Sequence, residues 1–367
     1  MAYFSGGGSS GIDSGLLSAL TVEERPCIKS FTCGFDLSSA SGLEMGFDER
    51  IRAEAMSAAF KTEHYEMVLK SGDMERIMPY VMHHLEEPRV GQCYPNYYIA
   101  RLASKFVKIV LSGAGGDELF AGYPWRYYRV SNARDFSEFV TGYYEFWQRL
   151  IPKDILPAFL GPAGSEADAS SPAEIFREVF AGCDKRIQNS ADAINLSLYF
   201  EASTFLQGLL LVDDKLSMAN GLETRSPFLD NDLVDFAMRC PVQCKLKQLH
   251  TAEGHDENLP GVKSDSYWRR TRDGKRILRE VAKRHIPAGI VDAEKQGFSA
   301  PDASWFKGES IDFVKRRLFR KERPMYDVID YSVTKHLVDD HLEGRQNRRL
   351  LIWSLLCFDY WFDVFNM

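Results

Sequence analysis

The sequence predicts an α/β fold: a doubly wound parallel sheet built from residues 1–130, with a mainly helical region over 131–367 packed against it. Three observations carry this expectation. Short apolar runs alternate with helical periodicity through the first 130 residues, two of those runs end in loops of small residues, and from Phe136 onward the signals are mainly helical. Strand, helix, strand, helix in that order implies parallel pairing, because each helix returns the chain to the edge from which the next strand departs.

The elements follow in order. Ala2-Tyr3-Phe4 is the first apolar run; after a Gly/Ser loop, Ile12 to Leu20 places apolar residues at helical spacing. Ile28 to Phe35 reads as a second strand, and Glu49 to Phe60, rich in Ala, Arg and Glu, as a helix. A helix from Met74 to Leu85, a proline-bounded connection at Glu87-Pro88, a helix near Tyr97 to Phe106 and a buried strand over Val107 to Leu111 repeat the pattern. The small-residue and proline stretch from Gly161 to Pro172 reads as an exposed connection. The most apolar stretch, Leu350 to Phe358, is soon interrupted by Asp359 and Asp363 and falls far short of a bilayer crossing, so it reads as a buried C-terminal helix and no membrane partner is expected.

Composition narrows the function classes. A chain of 367 residues with 45% hydrophobic and 13% aromatic content can bury a substantial core, in one large or two moderate domains. Its 45 basic residues against 52 acidic ones give a formal charge of -7, without the basic excess that binding a phosphate backbone requires, so nucleic acid is not an expected partner. Seven cysteines without a CxxC pair read as reduced thiols in a cytoplasmic protein. Cys240 and Cys244 lack the accompanying ligand pair of a zinc site and read as packing residues. The start, MAYFSGGGSSG, lacks the basic and apolar regions of a signal peptide.

Four segments carry chemistry. Ser5-Gly6-Gly7-Gly8-Ser9-Ser10-Gly11-Ile12-Asp13-Ser14 joins a strand to a helix start, where backbone amides and the helix dipole suit a phosphate group; an ordinary flexible turn is the competing reading. It has no lysine and is not a GxxxxGK[ST] loop. Ser112-Gly113-Ala114-Gly115-Gly116-Asp117-Glu118 also follows a strand, with two carboxylates where a helix should begin. Those carboxylates can cap that helix; with Asp13, Asp117 can instead hold magnesium on a pyrophosphate. In doubly wound sheets ligands sit outside the carboxyl ends of strands, so both loops open onto one edge. The third segment, Asp213 to Asp230, reads on physical grounds as a structural ion-pair network, and the fourth, Lys295-Gln296-Gly297-Phe298, as a surface lysine beside a glycine turn.

Taken in order, these segments resemble the synthetase domain of class II, glutamine-dependent asparagine synthetases, in the ATP pyrophosphatase (PP-loop) superfamily, whose first loop reads SGGxDS. That loop is shared with NAD, GMP and argininosuccinate synthetases; its combination with SGAGGDELFAGY, ETRSPFLD and KQGF is far more specific and spans nearly the whole chain. The resemblance implies ATP and Mg2+ as cofactors, with Asp13 and Asp117 as metal ligands. It implies that Ser5, Gly6, Gly7, Ser9, Ser10, Gly11 and Ser14 cradle the pyrophosphate and that Phe4, Cys33, Ser112, Gly113 and Gly115 border the nucleotide. Lys295 would offset charge on the departing pyrophosphate and on the tetrahedral species formed by ammonia, and Tyr123 would line the same site. The implied reaction adenylates aspartate and lets ammonia displace AMP.

Three departures shape the expectation. The family's N-terminal glutaminase domain is not in this sequence, so either free ammonia or a separate glutaminase subunit would supply nitrogen, or the sequence is a fragment of a longer parent; a homodimer stays open. The first loop is longer than SGGxDS, so either Ser5-Gly6-Gly7 or Ser9-Ser10-Gly11 is its start. Ala114 stands where many members carry a glutamate. Two alternatives therefore accompany the leading reading: an amide or β-lactam synthetase of the same fold acting on another carboxylate, and a non-catalytic nucleotide-binding subunit.

Overall fold

The first apolar run forms strand β1, Ala2–Ser5, and the chain then builds outward from it on both sides. The computed structural model describes residues 2–5, 11–41, 44–45, 49–91, 93–161, 163–164, 172–247, 273–291 and 300–366, with the backbone alone for 2–5 and 289–290. Helix α1, Ile12–Glu24, leads to β2, Lys29–Phe35; helix α2, Arg50–Phe60, leads to β3, Glu63–Leu69. Helices α3, Ser71–Leu85, and α4, Tyr94–Ala103, then carry the chain back across the sheet to β4, Ile109–Leu111. Helix α3 starts before Met74 because the Asp73 carboxylate accepts from the backbone N–H of Lys70 at 2.9 Å, closing the first turn.

The five strands run in the order β3-β2-β1-β4-β5, every neighbouring pair parallel. Strand β5 is Glu223–Arg225, with Glu223 opposite Ile109. The sheet is therefore completed from the region expected to be helical, well past residue 130. Between β1 and β4 the build-up reverses direction. In a parallel sheet, the carboxyl ends of the strands at such a reversal are the natural place for a ligand crevice.

Strand β2 is buried at every residue after Lys29, as a strand covered on both faces must be. Phe31 and Phe35 from β2, Met78 and Val81 from α3, and Trp353 and Leu356 from the C-terminal helix Arg349–Phe365 share the main core. Tyr94 stacks on Trp353 with ring centroids 5.6 Å apart. All seven thiols are free, and among the described residues no helix is long and apolar enough to cross a membrane.

One core group makes stability depend on pH. Asp302 is buried at the start of the helix Asp302–Lys307 and accepts the Trp353 indole N–H at 2.6 Å. Burial, assisted by Glu44, pushes its carboxyl up to about 8, against the lowering effects of Trp353 and Arg349. The folded state thus binds a proton that the unfolded chain, with a carboxyl near about 3.9, has lost, and this contribution to stability falls as pH rises from about 4 to about 8. His341, which burial holds down to about 4, works in the opposite sense, and its effect is complete by about pH 6.5. Melting temperatures between about pH 6.5 and 8 should therefore fall more steeply for the wild type than for Asp302→Asn. Equal slopes would remove Asp302 as the cause.

Candidate active site

The site is assembled where α1 and the turn after β4 meet. Gly11 sits at the α1 N-cap with extended backbone, and its carbonyl accepts from the Gly15 N–H at 2.9 Å and from the Ser14 hydroxyl at 3.4 Å. Asp13 in that first turn faces the positive end of the helix dipole. After β4, the Ser112 N–H bonds the Arg225 carbonyl at 2.8 Å, and Gly115, at φ +95, turns the chain into helix α5, Gly116–Leu119. The turn after β4 touches the first turn of α1: a Cβ on Gly113 would lie 3.2 Å from the Asp13 Cβ and 3.3 Å from the Ser14 nitrogen. A Cβ on Gly116 would come within 2.5 Å of the Asp13 carboxyl carbon, so this position must stay bare for Asp13 to hold its place.

Asp13 and Asp117 converge on a residue that sequence reasoning did not single out, Lys275. Its ammonium bonds Asp13 Oδ2 and lies 2.6 Å from Asp117 Oδ1, with all three side chains at most 10% exposed. Burial alone would lower the lysine pKa, but Asp117 and Asp13 outweigh it and hold the group above its ordinary value, as an ammonium ion. Lys275 occupies the left-handed region at φ 52 and donates its N–H to the Phe120 carbonyl at 3.1 Å. Gly274 before it, at φ +94, packs where a Cβ would be 2.8 Å from the Ala121 carbonyl oxygen. Ala121 is itself at φ 61. Two side-chain-bearing residues in this sparsely populated region, either side of one charge cluster, mark a place where the fold holds backbone strain to aim side chains.

A signal for Lys275 did exist. Asp273-Gly274-Lys275 places a lysine just ahead of the helix Arg276–Ala282, the unfavourable end of a helix dipole, which calls for a nearby anion.

The donor set suits a hard divalent cation. Asp13 and Asp117, both bonded to the one ammonium of Lys275, are hard oxygen donors of the kind that would hold Mg2+ together with phosphate oxygens and water. Among the described residues no cluster of three or more His, Cys, Asp or Glu could hold a metal by protein groups alone. Around this centre, the Tyr123 phenol donates to Glu118 Oε1 at 3.0 Å, and burial raises its pKa. The Arg126 guanidinium lies 3.9 Å from the centre of the Tyr123 ring and pairs with Glu201 at 3.3 Å.

The remaining expected residues are distributed as follows. Phe4 and Ser5 are in β1, opposite Phe31 and Thr32. Cys33 is buried in the main core on the adjacent β2, where burial raises its thiol pKa. Gly6, Gly7, Ser9 and Ser10 of the first loop, and Lys295, lie outside the described residues. In the third segment, Arg225 and Glu223 form an exposed pair at 2.9 Å, and Asp230 caps the helix Asn231–Arg239.

Comparison with known proteins gives this geometry a family. The family model described as Asparagine synthase matches residues 9–363. The chain is 26% identical over 382 residues to Asparagine synthetase [glutamine-hydrolyzing] 1 of Bacillus subtilis (strain 168), covering 97% of this chain and 55% of that protein. It is 26% identical over 396 residues to a Putative asparagine synthetase [glutamine-hydrolyzing] of Mycobacterium tuberculosis (strain ATCC 25618 / H37Rv), covering 97% and 54%. A segment of 123 residues is 32% identical to Putative asparagine synthetase [glutamine-hydrolyzing] 2 of Methanocaldococcus jannaschii. The chain thus spans about half the length of the first two relatives. With the family match running from within the first glycine-rich loop, through the second, and on to the C-terminal helix, the chain belongs to the asparagine synthase family.

Proposed function

We propose that this chain is an AMP-forming carbon–nitrogen ligase with a doubly wound, PP-loop nucleotide-binding core, converting aspartate to asparagine at the expense of ATP. The observation that carries this reading is the meeting of Asp13 and Asp117, each in the first turn of a helix that follows one of two adjacent parallel strands, on Lys275. The family match opens at Ser9, which favours Ser9-Ser10-Gly11-Ile12-Asp13-Ser14 as the phosphate loop.

A carboxylate does not react with ammonia until one of its oxygens becomes a leaving group. In the first step an oxygen of the aspartate side chain bonds to the α-phosphorus of ATP, and the bond from that phosphorus to the β-phosphate bridging oxygen breaks, releasing pyrophosphate. In the second step ammonia attacks the acyl carbon, the bond to AMP breaks, and the nitrogen gives up a proton. Magnesium held by Asp13 and Asp117 would supply charge neutralisation on the phosphate chain. Ser9, Ser10, Gly11 and Ser14 would direct amides and hydroxyls at the pyrophosphate, with Ser112, Gly113 and Gly115 closing the nucleotide side. Lys275 contributes a fixed ammonium in a water-poor site, and Lys295 takes the role the family resemblance gives it, opposite the developing negative charge. Positioning and electrostatics do the work, and no nucleophilic side chain is needed. The nitrogen would arrive as ammonia from a glutaminase segment or subunit, or free in solution.

A second reading, favoured by Ala114 at the glutamate position, keeps the chemistry and changes the acceptor acid. Pyrophosphate release from Mg-ATP with ammonium, measured over a panel of carboxylic acids, decides between them. Release dependent on aspartate supports the leading reading, release with another acid alone supports the second, and silence with every acid, despite ATP binding, leaves a nucleotide-binding subunit.

A further inference from the structure

The turn after β4 is held from outside the charge cluster by a carboxylate the mechanism above does not use. Asp213 lies on the helix Leu206–Met218 that runs toward β5. One of its oxygens, Oδ1, accepts from the Asn96 side-chain amide on α4 at 2.7 Å; the other, Oδ2, accepts from the Ser112 hydroxyl at 3.4 Å. Ser112 Oγ in turn accepts the Ala114 N–H at 3.3 Å, the side-chain-to-backbone bond that shapes a serine turn. A serine hydroxyl has a single proton, so giving it to Asp213 is what leaves its lone pairs facing the Ala114 N–H. Asp213, Ser112 and Ala114 therefore form a directional chain that ends at the residue standing in the family's glutamate position. The two neighbouring charges are committed elsewhere or point outward: Lys215 bonds the Leu85 carbonyl at 2.8 Å and Glu86 at 2.6 Å, and Asp214 is exposed. Burial pushes the Asp213 carboxyl up to about 7 against the lowering effect of Asn96 and Ser112, as expected for a carboxylate kept in place mainly by those two bonds.

We propose that Asp213 is a positioning residue: held by Asn96, it orients the Ser112 hydroxyl and so fixes the Ser112–Gly116 turn that delivers Asp117 to the site. This rests on the reading of that turn as the nucleotide-side wall. Asp213→Asn keeps the shape of the side chain and its acceptor for Asn96, but presents an amide donor to Ser112, so the serine proton loses its acceptor.

The test measures Mg-ATP affinity by calorimetry, KM and kcat by pyrophosphate release, and the melting temperature, for wild type, Asp213→Asn, Ser112→Ala and the double variant. Asp213→Asn is expected to melt close to wild type while KM for ATP rises about tenfold, the scale of a small misplacement at a reacting site. The double variant should be no worse than the poorer single one, because Asp213 acts through Ser112. If Asp213→Asn does not fold, Ser112→Ala alone must show the same loss. A lowered melting temperature with unchanged KM, or losses that multiply in the double variant, would overturn the positioning role and leave Asp213 a packing residue. Wild type that fails to bind Mg-ATP would end the nucleotide-site reading itself and this inference with it.

Discussion

Asp117→Ala is expected to cut pyrophosphate release by at least about a hundredfold while leaving the fold nearly as stable as before. The two halves of that expectation come from the same geometry. Asp117 brings one of the two carboxylates that converge on Lys275, so losing it would remove half of the proposed ligand set for a cation on the phosphate chain. Its removal nevertheless leaves Lys275 bonded to Asp13, one positive and one negative charge, and no buried charge is stranded. Initial rates with saturating Mg-ATP, read beside thermal melting, check both halves. A near-wild-type rate would show that Asp117 serves the structure alone, as a partner of Lys275 and an acidic residue in the first turn of α5.

The second large effect has the opposite signature. Lys275→Met keeps the length of the side chain and removes its charge, leaving two carboxylates facing each other in a place at most 10% exposed. Breaking a buried ion pair from one side typically costs about 3–5 kcal/mol, so this variant should unfold at clearly lower denaturant concentration than wild type. Activity should fall as well, but the sharper readout is magnesium itself. A divalent cation bound between the carboxylates restores the missing positive charge, so added Mg2+ should raise the melting temperature of Lys275→Met more than that of the wild type. Equal responses to Mg2+ would argue that the two carboxylates do not form a cation site.

Much of the fold was legible because its signals are local. Apolar runs followed by small-residue loops identify β1 and β4, and helical periodicity marks α1 and α2. Strand β3, EHYEMVL, was overlooked because it is an edge strand whose charged residues hide the pattern. Strand β5 is only three residues, Glu-Thr-Arg, and exists because β4 offers it a backbone ladder, not because of any apolar signal. That is also why the sheet could not be bounded at residue 130 from the sequence.

The site divides the same way. Asp13 and Asp117 were readable because each sits in a glycine-rich loop at a helix start. Lys275 was not, since its bond to Asp13 spans 262 positions and only the folded chain brings the two together. Asp213 sat inside a charged segment that also contains surface pairs such as Lys215 with Glu86, and nothing local distinguishes a carboxylate turned toward Ser112 from one turned toward solvent.

Activation of the acid as an acyl-adenylate leaves a signature that isotope transfer reads. Aspartate whose side-chain carboxylate carries heavy oxygen, incubated with Mg-ATP, ammonium and the protein, should pass one labelled oxygen to AMP, because that oxygen bonds the α-phosphorus and stays there when nitrogen takes its place on carbon. Label in inorganic phosphate together with ADP would show activation at the γ-phosphate instead and rule out an acyl-adenylate.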